Sequence, residues 1–515
     1  MSITDKPLIA VLDVGTSVLK TSLITTDGEF LASRSRIWSY EHAGFSGALT
    51  FDPETLLAYF KAMFKEIREN DGLLFSDIAA IIVSSQRLGF VLLDDCGDHA
   101  YGIPNIDRRA ADTALKFQSD EYVEYYNITG RWPGAQHMLA RLLWFRNHQS
   151  KPDGYLGVSK ILSISDWITF VLTGIMCSER TTACETCCYD IRTNDWSGEI
   201  LYQENLSRSL FCDLEKPGHV IGKTIGKVTR ELGLPEGIPV CLGGGDTQLG
   251  VLGSGAFKTG DSAVVAGSSA PVNHVVCSPL TDRVFRTVTN PYLIENTWVL
   301  EANAMLTGLS ISWAGDLLFP YVGEQKYSLL EKAAKEYMTR TSISEQMFTF
   351  AGPSIANSRQ GNMYSEGMLS FTMSDFTANR ITREAFSASI FESAAFAISA
   401  NIRVIEEIAA VCAIQDVTIG GGESKSQLLL DILLRVSKKH LSAVHALDIT
   451  SLGAAVLACF SLGYYNSLKE ACHSMVKKHD ILPIQWQMDL PYYADINERY
   501  NKWIDRFKEF KEKKG

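Results

Sequence analysis

The feature that most constrains this chain is a strand–turn–strand unit that occurs twice. Leu8-Ile9-Ala10-Val11-Leu12 reads as a buried strand, enters the polar glycine turn Asp13-Val14-Gly15-Thr16-Ser17, and is followed at once by a strand over residues 18–24. Asp27-Gly28 can make the next hairpin turn. Much farther along, Asp261-Ser262-Ala263-Val264-Val265-Ala266 runs into Gly267-Ser268-Ser269-Ala270, and residues 272–276 supply the returning strand. A glycine turn between two strands differs from the nucleotide loop that precedes a helix and ends in a Lys-Ser/Thr pair. The repetition predicts two related halves. The boundary falls near residues 252–260, giving an N-terminal domain over 1–255 and a C-terminal domain over 256–515.

A chain of 515 residues is long enough for two substantial cores. With 46% hydrophobic and 21% charged residues it has the composition of a globular protein. The net charge of -11 argues against a nucleic-acid backbone as partner, which needs local positive charge. Residues 1–7, MSITDKP, lack the basic and apolar regions of a secretory signal. The apolar runs 8–12 and 78–83 are far shorter than the about 20 residues that a membrane span requires. Eleven cysteines, an odd number, point to reduced thiols and a cytoplasmic location. Cys184-x-x-Cys187 lacks the second spaced pair of a zinc site, and buried thiols are expected there.

Between the twin units, strand and helix patterns alternate. Asp52-Pro53 opens a helix through Ile67, residues 78–83 form a strand, and Ser163-Ile164-Ser165-Asp166-Trp167 leads an apolar segment to Thr173-Gly174. These features predict a mixed α/β fold with helices covering the sheets. Val240-Cys241-Leu242 enters Gly243-Gly244-Gly245-Asp246, with a helix following. A long helix spans residues 383–410, and a strand over 417–419 enters Gly420-Gly421-Gly422-Glu423-Ser424 before another helix from Lys425. Ser451-Leu452-Gly453-Ala454-Ala455 is expected to continue the helical C-terminal core. The terminal KEFKEKKG, with Lys508, Lys511, Lys513 and Lys514, reads as a solvated helix end.

The turns carry chemistry that phosphate needs. Gly15 lets the backbone turn closely, Thr16 and Ser17 offer hydroxyls and N–H groups, and Asp13 can hold a hydrated divalent cation. Asp246, at the start of a helix, is placed to address a hydroxyl, although a capping role would use the same residue. Asp107 can accept from a hydroxyl or pair with Arg108 or Arg109. Arg87 can bind a hydroxyl or carbonyl or make an ion pair between domains, and Gln248 lies close to Asp246. His137 stands too isolated to serve as a base.

In order and spacing these segments resemble the FGGY family of carbohydrate kinases over nearly the whole chain. Asp13-Val14-Gly15-Thr16-Ser17 is similar to its first phosphate motif and Gly243-Gly244-Gly245-Asp246 to its catalytic turn. Gly267-Ser268-Ser269 and Gly420-Gly421-Gly422 are similar to its second phosphate turn and adenosine-side glycines. Ser85-Gln86-Arg87-Leu88-Gly89, Pro104-Asn105-Ile106-Asp107-Arg108-Arg109-Ala110, Ile164-Ser165-Asp166-Trp167 and Gly245-Asp246-Thr247-Gln248-Leu249-Gly250 resemble the autoinducer-2 kinase subgroup. Leu88 stands where that subgroup usually carries an acidic residue, which removes an acceptor for substrate hydroxyls. Ser268 stands where Thr is more usual, and it keeps the hydroxyl.

The resemblance implies a two-domain, actin-like ATPase (ribonuclease H-like) fold of the α/β class with the active site in the cleft between domains. It implies ATP and Mg²⁺, with Asp246 as general base, Asp13 and Asp246 toward the metal, and Gly15, Thr16, Ser17, Gly267, Ser268, Ser269, Gly421, Gly422 and Ser426 around the nucleotide. Arg87, Asp107 and Gln248 would contact a small sugar-like substrate, for which the subgroup implies linear dihydroxypentanedione. A xylulose, ribulose, glycerol or erythritol kinase shares the same pattern, and a catalytically silent nucleotide-binding regulator would keep the turns without the transfer. The domains are expected to close around the substrates. Neither nucleic acid nor membrane is an expected partner, and a homo-oligomer is compatible with the sequence.

Overall fold

A computed structural model describes residues 6–73, 75–148, 158–340, 347–355, 357–359, 367–410, 414–446, 448–483 and 495–512. Lys513 and Lys514 lie outside the described residues. The N-terminal strands are β1 (Leu8–Val14), β2 (Val18–Thr25) and β3 (Phe30–Ile37), a meander whose turns sit at the glycines expected to make them. Helix α1 (Pro53–Asp71) starts where Asp52 accepts from the Glu54 N–H with Pro53 in the first turn, and ends at Gly72 in the left-handed conformation. Then come β4 (Ile78–Ser85), α2 (Ile164–Thr173), β5 (Val220–Lys223), β6 (Pro239–Gly245) and α3 (Asp246–Gly253). The sheet order is β5-β6-β4-β1-β2-β3, with β1, β4 and β6 parallel.

β1 is buried along its whole length, and its two faces separate by the period of the strand. Leu8, Ala10 and Leu12 meet Phe60, Met63 and Phe64 of α1 and Trp167 of α2. Ile9 and Val11 face the other way, toward Leu249 and Leu252 of α3.

The second half repeats the plan. Its elements are β7 (Ser262–Val265), β8 (Pro271–Val276), β9 (Val288–Pro291), β10 (Trp298–Asn303), α4 (Thr307–Leu318), α5 (Gln325–Arg340), α6 (Arg383–Ala409), β11 (Asp416–Gly420), α7 (Gln427–Ser437), β12 (His440–Val444), α8 (Ile449–Ser461), β13 (Lys478–Asp480) and α9 (Ile496–Glu512). The sheet order is β9-β10-β8-β7-β11-β12-β13, with β7, β11 and β12 parallel. An antiparallel run, of three strands in the first sheet (β1, β2, β3) and four in the second (β7, β8, β10, β9), is extended by two parallel strands, β4 and β6 in one and β11 and β12 in the other. Helix α6 is long and apolar enough to cross a membrane, yet 94% of its apolar window is buried in this core.

Helix α8 departs from the sequence expectation. Leu452, Ala455 and Val456 share an apolar cluster with Ile9 and Val11 of β1 and Ile82 of β4, so the C-terminal helix covers the first sheet. It crosses α3 where a Cβ on Gly253 would lie 1.8 Å from the Ile449 carbonyl and a Cβ on Gly453 1.9 Å from the Leu249 carbonyl. Only two glycines permit that approach. Helix α9 buries Tyr500, Trp503 and Phe507, so the terminal segment is a packed helix with an exposed charged face. The ten described cysteines are unpaired, and Cys184, Cys187 and Cys188 are buried.

Candidate active site

All the glycine turns lie at the carboxyl ends of parallel strands, the place where open α/β sheets leave a crevice for ligands. In the first sheet Asp13 pairs with Ser84 across β1 and β4, and Gly244 pairs with Ser84 from the other side. Asp246 follows directly as the first residue of α3, its side chain one third exposed. Its Oδ1 accepts from the Thr247 N–H at 2.7 Å and lies 4.0 Å from Arg87 Nε. Burial raises its pKa, while Arg87 and Thr247 pull it down. An exposed carboxylate held in that balance can accept a proton from a hydroxyl.

Asp13 is buried, and burial pushes it up to about 7, with Asp448 and Asp246 adding to the rise and Lys20 opposing it. Lys20 Nζ stands 4.0 Å from Asp13 and 3.2 Å from Asp448 at the start of α8, linking β2 to the C-terminal helix. Asp13 Oδ1 is buried and has no hydrogen-bond partner. A magnesium ion or its bound water fits that orphaned oxygen. Among the described residues no cluster of three or more metal-binding side chains exists.

The first phosphate turn is braced from outside. Gly15 N–H donates to the Val18 carbonyl at 3.0 Å, Trp38 Nε1 donates to the Gly15 carbonyl at 3.0 Å, and Asn105 donates to Thr16 Oγ1 at 2.7 Å. Ser17 is left exposed. In the second sheet Gly267 and Ser268 are exposed, and Gly267 N–H donates to the Ser269 carbonyl at 2.9 Å. Gly421 adopts φ 108°, and a Cβ there would lie 2.3 Å from the Ala266 carbonyl. Only glycine lets the end of β11 cross the end of β7 so closely. A cavity of about 620 Å³ is lined by Gly267, Ser268, Tyr327, Gly422, Glu423 and Ser426. The Ser426 hydroxyl caps α7 by accepting from the Leu429 N–H and donates to Glu331 at 2.8 Å. The helix therefore starts at Gln427, after a 3₁₀ turn over Gly422–Lys425.

A second cavity of about 400 Å³ is lined by Arg87, Leu88, Arg131, Trp132, Gln136, His137, Glu185, Glu301 and Asn303. Arg87 makes a two-pronged ion pair with Glu301 of β10 at 2.7 and 3.1 Å and stands 3.6 Å from Glu185. Burial works against the Arg87 charge, but Glu301 and Glu185 outweigh it and hold the guanidinium protonated. The contact joins the two halves, as the ion-pair alternative expected, and the same side chain faces the cavity. Arg131 pairs with Glu185 and with Asn290 of β9, closing a charged wall between the halves. His137 Nδ1 accepts from the Gly134 N–H at 2.8 Å, which assigns its proton to Nε2. Burial and the neighbouring Arg131 and Arg141 lower its pKa well below the usual value, so the ring is neutral.

Asp107 requires a correction. It is fully buried, accepting from the Leu49 N–H at 2.7 Å and from Arg109 Nε at 3.0 and 3.1 Å, with Arg141 Nε at 3.4 Å. Its carboxylate is taken up by Leu49, Arg109 and Arg141, the ion-pair alternative, and does not line the cavity. Gln248 is 1% exposed, and neither its Oε1 nor its Nε2 has a hydrogen-bond partner.

Glu301, Lys20 and the buried pair Asp166 and Glu179 escaped the sequence reading. Glu301 in Trp298-Val299-Leu300-Glu301 and Lys20 in Val18-Leu19-Lys20 are single charges inside apolar strands, a signal that could have flagged them. Glu179 accepts from the Thr181 and Thr182 N–H groups and from the Thr181 hydroxyl, and that hydroxyl accepts from the Gly245 N–H at 2.9 Å. The turn that carries Asp246 is thereby fastened from behind.

The family model for the N-terminal domain of the FGGY family of carbohydrate kinases matches residues 8–253. An autoinducer-2 kinase of Yersinia enterocolitica is 26% identical over 495 residues, covering 92% of this chain and 90% of that protein. The crystal structure of a ligand-bound xylulose kinase from Lactobacillus acidophilus superposes with a TM-score of 0.81 at 18% identity, covering 97% of both chains. A gluconate kinase from the same organism superposes with a TM-score of 0.82 at 18% identity, again over 97% of both. Two differently named kinases thus share this fold.

Proposed function

We propose that this chain, which matches the FGGY family of carbohydrate kinases over residues 8–253 and is similar to an autoinducer-2 kinase along most of its length, phosphorylates a hydroxyl of a short linear hydroxycarbonyl compound, represented by dihydroxypentanedione, the linear precursor of autoinducer-2. The observation that carries the reading is the small cavity of about 400 Å³ whose polar wall includes Arg87, the residue that also approaches Asp246. Likeness to the Yersinia protein supports the choice of substrate. A pentulose is the second reading, as the fold is shared with the L. acidophilus xylulose kinase and Leu88 on the cavity wall departs from the autoinducer-2 kinase pattern.

In this reading Asp246 takes the proton of the attacking hydroxyl as that oxygen approaches the γ-phosphorus of ATP. Arg87 and the Nε2–H of His137 donate to carbonyl or hydroxyl oxygens of the substrate and turn the reacting hydroxyl toward Asp246. Gln248, buried and unpartnered, supplies a further polar contact beside the base. Thr16, Ser17, Ser268 and Ser269 orient phosphate oxygens from two sides, while Gly15, Gly267, Gly421 and Gly422 leave room for backbone approach. Asp13, with Asp246, would hold magnesium, which when bound offsets phosphate charge.

The division into domains 1–255 and 256–515, closure of the cleft and a cytoplasmic location belong to the same proposal. Mass-resolved product formation with ATP and magnesium tests the substrate, with dihydroxypentanedione, xylulose, ribulose, glycerol and erythritol compared at equal concentration. Preference for the pentanedione is expected. Preference for xylulose or ribulose would select the second reading, and no product across the panel would leave a nucleotide-binding regulator.

A further inference from the structure

Glu423 sits in the wall of the larger cavity, 8% exposed, in the turn between β11 and α7. Its Oε1 accepts from the Thr307 hydroxyl at 2.6 Å, and its carboxylate also accepts from the Gly308 N–H at the start of α4. Its Oε2 is buried and has no hydrogen-bond partner. The backbone is packed tightly at this point. A Cβ on Gly308 would lie 2.0 Å from the Gly267 carbonyl and 3.0 Å from Glu423 Oε1, so the carboxyl adjoins the second phosphate turn.

A carboxylate is a poor neighbour for phosphate, and among the described residues no cation pairs with this one. Lys425 lies on the same turn and makes no ion pair with Glu423, while Glu324 and Glu331 face the cavity as further carboxylates. Glu331 is engaged by Ser426 and Lys335, and Glu392 on α6 is engaged by Arg499. Burial pushes Glu423 up to about 7, with the bonds from Thr307 and Gly308 holding it down. A second anion brought into the same low-dielectric space raises it further.

Resting on the nucleotide reading of this cavity, we propose that Glu423 is a neutral carboxylic acid whenever nucleotide phosphates occupy the site, so that nucleotide binding takes up one solvent proton at Oε2. No other bond changes in this step. The carboxylate becomes an acid, and Oε2 turns from an unpartnered acceptor into a donor. The sign follows directly. Below neutrality the proton is already present and binding is unpenalised, whereas above it binding must recruit the proton and weakens.

Isothermal titration of MgADP tests this, run at pH 6 and pH 8 and, at pH 8, in two buffers of different ionisation enthalpy. For the unmodified protein Kd is expected to rise about tenfold more between pH 6 and pH 8 than for Glu423→Gln. The Gln variant keeps an acceptor for Thr307 and Gly308 and should bind more tightly than the unmodified protein at pH 8. The buffer comparison needs no variant and should report uptake of close to one proton. Equal pH dependence in both proteins, or heat independent of buffer, overturns the proton linkage while leaving the nucleotide site intact. Absence of MgADP binding at both pH values in the unmodified protein would instead remove the nucleotide reading itself.

Discussion

The turn after β1 and the turn after β7 have the same architecture and different chemistry. Each leaves a strand through a glycine, exposes a serine and returns as an antiparallel strand. Two residues before Gly15 stands buried Asp13, whereas two residues before Gly267 stands Val265. The neighbouring parallel strands diverge likewise: β6 ends at Gly245 and is followed at once by Asp246, and β11 ends at Gly420 and is followed by Gly421, Gly422 and Glu423. In the proposed reading the first half therefore gathers two carboxylates that burial raises and the cations Lys20 and Arg87 pull back down, and the second offers hydroxyls, backbone and one buried carboxyl that is raised with no cation among the causes opposing it. Repetition of a backbone supplies the cleft, and single side chains at equivalent ends divide the labour.

The strongest way to break this comparison is to remove the base from the first half. Asp246→Asn is expected to lower kcat by about 10²–10⁴ while the affinity for metal-free ADP, which the proposal assigns to the second half, stays unchanged in titration. A parallel loss of nucleotide binding would deny the division. Asp13→Asn should follow, with a fall in kcat of about 10²–10³, seen in steady-state assays as a raised magnesium requirement. Unaltered magnesium dependence would take Asp13 out of the metal site.

The joint between the halves can be sharpened by Gly453→Ala, which forces a methyl against the Leu249 carbonyl. A loss of about 1–3 kcal/mol in denaturant unfolding is expected, and a fully stable variant would show that α3 and α8 can move apart. The last test concerns the support of the turn that carries Asp246. Burial raises Glu179 to about 8, so the folded protein binds a proton that the unfolded chain has lost across the window from about 4.5 to about 8. That group makes stability fall as pH rises through the window, and Glu179→Gln should flatten the slope between pH 5 and pH 8 by at most about 1.4 kcal/mol per unit.

Much of this site was legible because its residues announce themselves locally. Asp13, Gly15, Asp246, Gly267 and Gly421 stand at strand ends, where a polar or glycine residue interrupts an apolar run. Asp107 misled for the complementary reason: its arginine-rich neighbourhood supports a binding site and a buried ion cluster equally well, and only the packing of Arg141 from a distant helix distinguishes them. Helix α8 was legible as a helix and not as a cover for the first sheet, since its apolar faces match either core.

The sequence by itself determined the twin α/β plan, the positions of the glycine turns and the place of the candidate base Asp246 at a strand end, because strand periodicity and turn chemistry are encoded within a few consecutive residues. The tertiary structure alone decided that Arg87 meets Glu301, that Lys20 spans Asp13 and Asp448, and that Glu423 lies buried beside a phosphate turn. Those relations depend on how segments far apart in the chain exclude water from one another, and burial sets both the ionisation and the reach of a charged group.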